Sequence, residues 1–359
     1  MHTQSKFRLL VVRLGAMGDI LHALPAVTAL RQAHPNWVID WVVEPKWRAL
    51  LAADGSTGRD TGCPGAKQPV IDRLYPAPTK KWASSPLAGE TRREFGTLRS
   101  ELRASGYEAV IDFQGAVRSA IVGRMADSRR LIGEAVPREW AARWLFTESV
   151  ATRGAHVIEQ DFELASAVAG DDLKFILPWL PIDPAAEAWA NKLLPASEGK
   201  PIVLVNPGAG WGAKRWPVER YAAVAKEFVD RGRRVLINVG PGEEPLADTI
   251  VKETRGAATA LNSSLEHPIA VTRRVSLVVA GDTGPLHLAC ALGKPVVGIY
   301  GPTDPSRNGP FGTRFKVLRH PDSRRDHTRH EAPEAGLLTI QTEEVMRAAE
   351  ELLYSEAAQ

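Results

Sequence analysis

Short apolar runs alternate along the chain with longer stretches in which apolar residues recur at helical spacing. The first run, at 9–12, predicts a buried strand, and the pattern at 20–30 predicts the helix that follows it. Gly15 and Gly18 mark a turn between these two elements. The alternation continues through the first half, with predicted strands at 38–44, 107–113 and 130–134 and predicted helices at 92–105 and 117–125.

A proline-rich segment at 177–184 predicts a linker, because a second alternating series begins after it. This series has predicted strands at 202–205, 234–239, 275–280 and 296–300 and predicted helices at 217–230, 244–254, 286–292 and 342–354. Strands that alternate with helices through short turns predict parallel, doubly wound sheets. The predicted fold class is therefore α/β, with two similar halves and a ligand site in the cleft between them.

The composition is that of an ordinary soluble enzyme, with 359 residues, 44% hydrophobic and 24% charged. A chain of this length exceeds one ordinary core, which favours two domains. Cys63 and Cys290 form no CxxC pair, so we expect a cytoplasmic protein without disulfides or structural zinc. Arg13 interrupts the first apolar run, and we expect neither a signal peptide nor a membrane span.

The net charge is only +3, but basic residues are concentrated in one part of the chain. Residues 73–143 include thirteen Lys and Arg against eight Asp and Glu. Either these side chains cover solvated helix faces, or they form a rim that attracts an anionic acceptor or membrane surface. No basic run is interleaved with aromatic residues in a known pattern, so no nucleic-acid partner is expected.

One carboxylate, Asp19, falls where the first predicted strand has ended and its helix begins. Ligands bind at the carboxyl ends of parallel strands, and a helix N-terminus favours the charged form of a carboxylate. Asp19 is therefore a candidate general base. The alternative is a helix N-cap that contributes about 1 kcal/mol to helix stability. Asp112, at the end of another strand, and His22, one turn beyond Asp19, are the other candidate bases.

In the second half, a segment at 206–217 places three glycines and two cations before a helix. Small residues such as Ala209 and Gly210 let backbone amides approach an anion, and Lys214 supplies a point charge for phosphate. The alternative is a flexible loop with a solvated lysine. The spacing is not that of a P-loop, which disfavours a P-loop ATPase.

The turn at 281–287 again connects a strand to a helix. The amides of Thr283 and Gly284 are expected at the helix N-terminus, where the dipole and unpaired N–H groups favour a diphosphate. Asp282 could bond those amides or a sugar hydroxyl, and His287 either faces the same site or packs in the core. A third loop at 301–305 ends the next strand at the same edge, and three such loops suit a nucleoside diphosphate.

Two absent motifs narrow the class of enzyme. No GxGxxG follows the first strand, which disfavours a dinucleotide oxidoreductase, and no Asp-x-Asp occurs, which disfavours a metal-bridged sugar nucleotide. Positive charge for a leaving diphosphate would then come from Lys214, helix N-termini and Arg215.

Four segments together resemble a known family: RLGAMGDILHALPA, YEAVIDFQG, the Lys-x-Trp-Pro of 214–217, and GDTGPLHLAxALGKPVVGIYGPTDP. In this order, over nearly the whole chain, they are similar to the lipopolysaccharide heptosyltransferases (glycosyltransferase family nine). The heptosyltransferase I branch is the most similar, since residues 80–82, Phe95 and 118–119 also match. The resemblance implies a GT-B fold, in which two Rossmann-like domains face each other across a cleft.

The resemblance also implies the organisation of the chain. An acceptor-binding domain with the catalytic aspartate would occupy 1–180, and a nucleotide-sugar-binding domain would occupy 181–340. The terminal helix at 341–359 can, in this fold, pack back on the first domain. A monomer is expected.

The implied reaction transfers heptose from ADP-L-glycero-D-manno-heptose to the Kdo region of lipid A, with inversion at the anomeric carbon and without a metal or other cofactor. The catalytic aspartate of the family corresponds to Asp19, and its phosphate-contacting lysine to Lys214. Acceptor-binding residues are expected at Lys80, Lys81 and Arg118. The residues expected to contact the nucleotide sugar are Gly18, Ala209, Gly210, Lys214, Glu243, Asp282, Thr283, Gly284 and His287.

Because the implied acceptor is a lipid, the basic first half is expected to face the cytoplasmic side of the inner membrane as a peripheral contact. The sequence does not identify the adenine contacts, although Glu243, Glu244 or the turn at 262–264 could line that pocket. Two segments depart from the family pattern. The loop at 54–69 is longer than usual, and the segment at 319–333 is rich in Arg and His, which we interpret as an exposed loop because its His spacing matches no standard metal site.

Three alternative functions stay open at this point. The chain could use a different acceptor, as a heptosyltransferase II does. It could be a sugar-nucleotide epimerase with the same two-domain architecture, which would act on the donor alone. It could also be a nucleotide-sugar-binding protein without catalysis.

Overall fold

Each half of the chain forms a six-stranded sheet in which the strand pairs described are parallel. The computed structural model describes residues 6–53, 69–195, 199–261, 264–326, 328 and 330–357. The chain divides into two units, Met1–Asp183 and Pro184–Gln359. This boundary falls within the proline-rich segment that the sequence predicts as a linker.

The first unit alternates strands and helices from its start. Its elements are β1 (Arg8–Val12), α1 (Met17–Ala33), β2 (Val38–Val43), β3 (Arg73–Pro76), α2 (Thr79–Ser84), α3 (Gly89–Ser105), β4 (Ala109–Asp112), α4 (Val117–Arg124), β5 (Leu131–Glu134), β6 (Glu148–Val150) and α5 (Val157–Ala169). Two short 3₁₀ helices, Pro45–Leu50 and Trp140–Leu145, lie between them.

The second unit begins with a helix and then repeats the alternation. Its elements are α6 (Pro184–Leu193), β7 (Ile202–Asn206), α7 (Val218–Asp230), β8 (Arg234–Asn238), α8 (Glu244–Glu253), β9 (Thr259–Leu261), α9 (Glu266–Thr272), β10 (Leu277–Gly281), α10 (Gly284–Ala291), β11 (Val296–Tyr300), α11 (Pro305–Asn308), β12 (Phe315–Arg319) and α12 (Thr342–Ala357). None of the helices described is both long and apolar enough to cross a bilayer.

The two sheets have the same strand order. It is β3-β2-β1-β4-β5-β6 in the first unit and β9-β8-β7-β10-β11-β12 in the second. In each unit the first strand and the fourth are neighbours at the centre of the sheet, and the chain connects outward from them in opposite directions. The crevice outside the carboxyl ends of those two strands is where doubly wound sheets bind ligands.

The central strands are buried on both faces, which explains their continuous apolar runs. In β7, Val203 and Val205 belong to one buried cluster, and Leu204 between them belongs to another. Because successive side chains of a strand point to opposite faces, the two clusters lie on opposite sides of the sheet. Polar side chains therefore lie mostly at the strand ends. The buried carboxylate of Asp40, inside β2, accepts a hydrogen bond from Tyr107 and is an exception.

The terminal helix α12 packs on the second unit. Val345, Ala349 and Leu352 recur at helical spacing and are buried in the same cluster as Phe228 of α7. The helix also contacts β11 and β12. The resemblance allows the helix at 341–359 to pack on the first domain, and its apolar face is buried against the second sheet.

The strands and helices predicted from hydrophobic periodicity are present, with ends shifted by a few residues. The strands β3, β6, β9 and β12 were not predicted; they lie at the sheet edges and have short or partly exposed sequences. The helices α2, α5, α6, α9 and α11 were not predicted either. The long loop expected at 54–69 lies, except for its last residue, outside the described residues.

We expect Leu352→Ala to destabilise the second unit by about 2–4 kcal/mol, because the residue is 5% exposed and its removal leaves a cavity. Hydrogen exchange measured by mass spectrometry should show faster exchange in α7 and β11. The control is Tyr354→Ala on the same helix, which is 65% exposed and should change little. Unchanged exchange in α7 and β11 would contradict this packing.

Candidate active site

Asp19 lies in the first turn of α1, at the carboxyl end of β1. Its Oδ2 accepts a hydrogen bond from the backbone N–H of Ala16 at 3.0 Å, and its Oδ1 lies 3.2 Å from Nη2 of Arg13. The Asp19 side chain is 34% exposed. Each carboxylate oxygen has two lone pairs, so both can accept a further hydrogen bond. Gly18 lies beside Asp19 in the same turn, in the first unit.

Arg13 is a buried cation that joins the two central strands of the first sheet. Its side chain is 7% exposed, and it donates a hydrogen bond to the carbonyl oxygen of Phe113, just beyond β4. A second link joins the same turns, because the Leu14 N–H donates to Oε1 of Gln114 at 2.9 Å. Arg13 therefore fixes Asp19 relative to the end of β4.

A close contact explains why residue 15, in the turn between β1 and α1, is a glycine. A Cβ on Gly15 would lie 2.8 Å from Nε1 of Trp47, which leaves no room for a side chain. The Trp47 indole, from the 3₁₀ helix after β2, thus covers the turn between β1 and α1.

The structure adds Asp161, a buried residue of α5 that the sequence analysis missed. Its Oδ2 accepts no hydrogen bond from the described residues. Burial raises the pKa of Asp161 to about 8, with Arg13 opposing this shift and the charges of Asp19 and Glu134 adding to it. Asp161 is therefore largely uncharged at neutral pH and does not compete with Asp19 for the charge of Arg13.

A signal for Asp161 exists in the sequence. It lies among Ile158, Phe162 and Ala165 on the buried face of α5, where a carboxylate is unexpected. An acidic residue on the apolar stripe of a helix indicates a group whose pKa is shifted. Periodicity alone could have found it, had α5 been predicted.

The structure gives the other candidate bases different surroundings. Asp112 accepts hydrogen bonds from the Ser119 hydroxyl and from the N–H groups of Gln114 and Gly115, and it shapes the turn between β4 and α4. Burial raises the pKa of Asp112 to about 6, although these hydrogen bonds oppose the shift. His22 is 5% exposed, so Asp19 is the most accessible of the three.

In the second unit, Lys214 and Asp282 form an ion pair between the ends of β7 and β10. Nε2 of His287, in the first turn of α10, lies 3.3 Å from Oδ1 of Asp282. Burial alone would raise the pKa of Asp282, but the hydrogen bond from His287 and the charge of Lys214 hold it well below its usual value. Asp282 is therefore a fixed negative charge that orients Lys214.

The other groups that the sequence predicts for a phosphate site lie next to this pair. Thr283 is the N-cap of α10 and Gly284 its first residue, so their N–H groups lie at the positive end of the helix. Nζ of Lys214 lies 5.0 Å from the centre of the Trp211 ring. An ammonium has three N–H donors, so Lys214 can bind Asp282 and an anion at the same time.

Ala209 and Gly210 lie in the loop that follows β7, and the carbonyl oxygen of Ala209 is 3.4 Å from Nε of Arg215. Glu243 lies over this loop. A Cβ on Gly208 would lie only 2.0 Å from its Oε2, and the same oxygen accepts a hydrogen bond from the Gly240 N–H at 2.9 Å. Glu243 thus joins the loops after β7 and β8.

Of the other expected adenine contacts, Glu244 is exposed at the start of α8, where its Oε1 accepts a hydrogen bond from the Gly242 N–H at 3.2 Å. In the turn at 262–264, the structure describes only Ser264.

The segment at 319–333, whose role the sequence left open, contacts the loop that carries Lys214. The Ala213 N–H donates to the His330 carbonyl at 2.9 Å, and the Glu334 N–H donates to the Ala213 carbonyl at 3.2 Å. A Cβ on Gly212 would lie 1.6 Å from the Glu331 carbonyl oxygen, so only glycine fits there. Residues 330–334 therefore hold the backbone next to Lys214.

The expected acceptor residues lie in the first unit, on α2 and α4. Lys81 is paired with Glu90 and Glu94, each at 2.9 Å, whereas Lys80 and Arg118 are exposed. Lys46, which the sequence analysis missed, lies beyond β2, and burial together with the nearby charge of Lys80 lowers its pKa. Lys46 and Lys80 thus form a local concentration of positive charge.

The comparisons with known proteins agree with this architecture. The family model described as glycosyltransferase family 9 (heptosyltransferase) matches residues 95–337. Lipopolysaccharide heptosyltransferase 1 of Escherichia coli (strain K12) is 30% identical over 88% of this chain and 94% of its own length.

Two solved structures are similar over nearly the whole chain. The E. coli heptosyltransferase WaaC with ADP has a TM-score of 0.78 and 27% identity, covering 96% of this chain and 100% of that one. The same enzyme with ADP-2-deoxy-2-fluoro heptose has a TM-score of 0.75 and 26% identity, covering 98% and 100%. The protein is therefore a glycosyltransferase of the GT-B fold class, as the sequence predicts. It belongs to glycosyltransferase family 9, the heptosyltransferase family.

We expect Asp161→Asn to change how stability depends on pH. The pKa of Asp161 is higher in the folded chain than the usual 3.8, so the folded state keeps a proton that the unfolded state releases. Asp161 therefore lowers stability progressively as pH rises from about 4 to about 8. Asparagine resembles the protonated acid, so the melting temperature of the variant, relative to the parent, should rise over this range. The control is Asp172→Asn at an exposed site. If the melting temperatures of Asp161→Asn and of the parent change with pH in the same way, the raised pKa of Asp161 is contradicted.

Proposed function

We propose that this chain transfers heptose from ADP-L-glycero-D-manno-heptose to the Kdo region of lipid A, with inversion at the anomeric carbon and without a metal. The observation that carries the proposal is the Lys214 ammonium, oriented by buried Asp282 beside the N-terminus of α10. This is an anion site at the edge of a sheet where nucleotides bind. The name of the E. coli relative and the ADP ligands in its structures support this donor and this reaction.

In the proposed reaction, Asp19 accepts the proton of the acceptor hydroxyl as that oxygen attacks the anomeric carbon of heptose. The bond from this carbon to the β-phosphate oxygen breaks, and ADP leaves with the electron pair. Lys214 and the N–H groups of Thr283 and Gly284 stabilise the charge that develops on the phosphate. The accessibility of Asp19 and the spare lone pairs of its oxygens support its role as the base.

The acceptor is proposed to bind the first unit, through its carboxylates, at the exposed cations Lys80 and Arg118. Lys81 contributes less, because Glu90 and Glu94 already compensate its charge. Since this acceptor is a lipid, the protein is proposed to act on the cytoplasmic face of the inner membrane. It is proposed to act there as a monomer.

Asp19→Asn should lower turnover by at least about a hundredfold, because the amide can still accept the Ala16 N–H but cannot accept a proton. The assay combines ADP-heptose with a Kdo-bearing lipid A acceptor and measures ADP release and product mass. Asp172→Asn, an exposed site in the same unit, is the control and should keep full activity. Near-normal turnover of a folded Asp19→Asn variant would exclude Asp19 as the base.

The same assay separates the rival functions. An epimerase would convert ADP-heptose without any acceptor, and a binding protein would bind ADP without transfer. A heptosyltransferase II would require an acceptor that already carries heptose.

Lys214→Gln should weaken ADP binding about 10- to 100-fold, because a charge-assisted hydrogen bond to phosphate is lost. It should also destabilise the fold, since Asp282 loses its buried partner. The double variant Lys214→Gln/Asp282→Asn should recover stability without recovering ADP affinity. Titration calorimetry measures the affinity, with exposed Lys226→Gln on α7 as the control. Unchanged ADP affinity in both Lys214 variants would refute the phosphate contact.

A further inference from the structure

Two large aromatic side chains of the first unit are exposed side by side. All ten tryptophans lie within the described residues, and among them only Trp140 and Trp144 are classed as exposed, at 63% and 68%. Their ring centres are 5.6 Å apart and nearly perpendicular. Val136, four residues before Trp140, is 82% exposed. We call this set, Val136, Trp140 and Trp144, the tryptophan patch.

The patch is held firmly by the residues between and after the tryptophans. Ala142 is fully buried, and the ring of Phe146 lies against Gly133, where a Cβ would be only 2.3 Å from it. The 3₁₀ helix Trp140–Leu145 also packs on α4. The exposure of the indoles therefore belongs to a fixed segment and is not the product of a loose loop.

Positively charged side chains lie beside these rings. The guanidinium of Arg143 lies 5.3 Å from the ring centre of Trp140 and 5.3 Å from that of Trp144, and Arg138 is exposed nearby in sequence. The acid in this segment, Glu139, accepts a hydrogen bond from the Val117 N–H at 2.8 Å and so helps to attach the segment to α4. The patch thus combines amphipathic aromatic rings with positive charge.

The patch is attached at the same sheet edge as Asp19. The Glu139 N–H donates to the Gly115 carbonyl at 2.8 Å, just beyond the end of β4. Further cations, Arg118 and Arg124, are exposed on α4. The exposed aromatic and basic side chains therefore lie near the edge where the proposed acceptor would react.

An apolar groove of about 530 Å³ also borders α4. α2 and α3 contribute Trp82 and Phe95 to its walls, and α4 contributes Arg118 and Ile121. Phe95 and Ile121 are 36% and 43% exposed. Apolar and basic side chains thus occur both in the tryptophan patch and in a groove along α4.

The size of the patch favours a bilayer over a protein partner. The exposed parts of the two tryptophans amount to roughly 200–300 Å². A stable protein–protein contact buries about 800 Å² on each partner, which is far more. Indole rings at the level of lipid headgroups, with arginine beside them, bind a membrane interface without such an area.

We propose that the tryptophan patch, with Arg138 and Arg143, is the surface by which this protein docks on an anionic lipid bilayer. This deepens the proposed function and rests on its lipid acceptor. The indoles insert at headgroup level, and the arginines pair with lipid phosphates. The edge of the first sheet that carries Asp19 is thereby brought near the headgroups.

The test is co-sedimentation of the full chain with phosphatidylcholine vesicles, with and without phosphatidylglycerol. We expect binding that requires the anionic lipid and falls as salt rises. Trp140→Ser/Trp144→Ser should weaken binding at least about tenfold. Arg138→Gln/Arg143→Gln should weaken it by about fivefold for each charge and reduce the salt dependence. The control is Tyr354→Ser, an exposed aromatic of the second unit, which should bind like the parent chain.

Two results would overturn the docking surface. One is unchanged vesicle binding by the folded double tryptophan variant. The other is light scattering that shows a dimer of the parent chain and a monomer of the variant, which would make the patch a contact between copies. Brominated lipid should quench the fluorescence of the parent chain more than that of the variant, and equal quenching would also count against insertion.

Activity measurements keep this proposal separate from the proposed reaction. With a water-soluble, deacylated Kdo acceptor, the double tryptophan variant should turn over like the parent, and with acceptor in vesicles it should be slower. Asp19→Asn should bind vesicles normally while losing turnover. If no heptose is transferred but vesicle binding still depends on the tryptophans, the reaction is wrong and the docking surface stands.

Discussion

Burial of the parallel strands on both faces is the constraint on which the rest of this structure depends. Because helices cover both sides of each sheet, the strand interiors contain mostly apolar side chains, and most polar groups lie where the strands end. In each unit the connections diverge at the two central strands, which leaves a crevice at one edge. The groups with candidate chemistry, Asp19 in one unit and Lys214 in the other, both lie at such edges.

Each edge contains a carboxylate paired with a cation, but the two pairs are buried differently. In the first unit the cation, Arg13, is enclosed and the carboxylate of Asp19 is 34% exposed. In the second, the carboxylate of Asp282 is 6% exposed and the Lys214 side chain is 14% exposed. At each edge the more buried partner is fixed and the other is more accessible. The accessible group is therefore a carboxylate at the first edge and an ammonium at the second.

Hydrophobic periodicity was sufficient to predict the fold class and most central elements, because buried parallel strands and amphipathic helices have distinct periods. It failed for edge strands such as β6, where few side chains are buried. For the candidate site, turn position indicated Asp19, Lys214 and Asp282 as candidates. It could not reveal that Asp282 binds Lys214 or that Asp161 lies close enough to Arg13 for their charges to interact, since these contacts join residues far apart in sequence.

The contact between Gly212 and residues 330–334 has a consequence for how this protein can vary. The Ala213 peptide is bonded on both sides by that segment, so a change of length between residues 330 and 334 is transmitted directly to the residue beside Lys214. Residues 330–334 and the three residues Gly212–Lys214 therefore form one structural unit, although more than a hundred positions of sequence separate them.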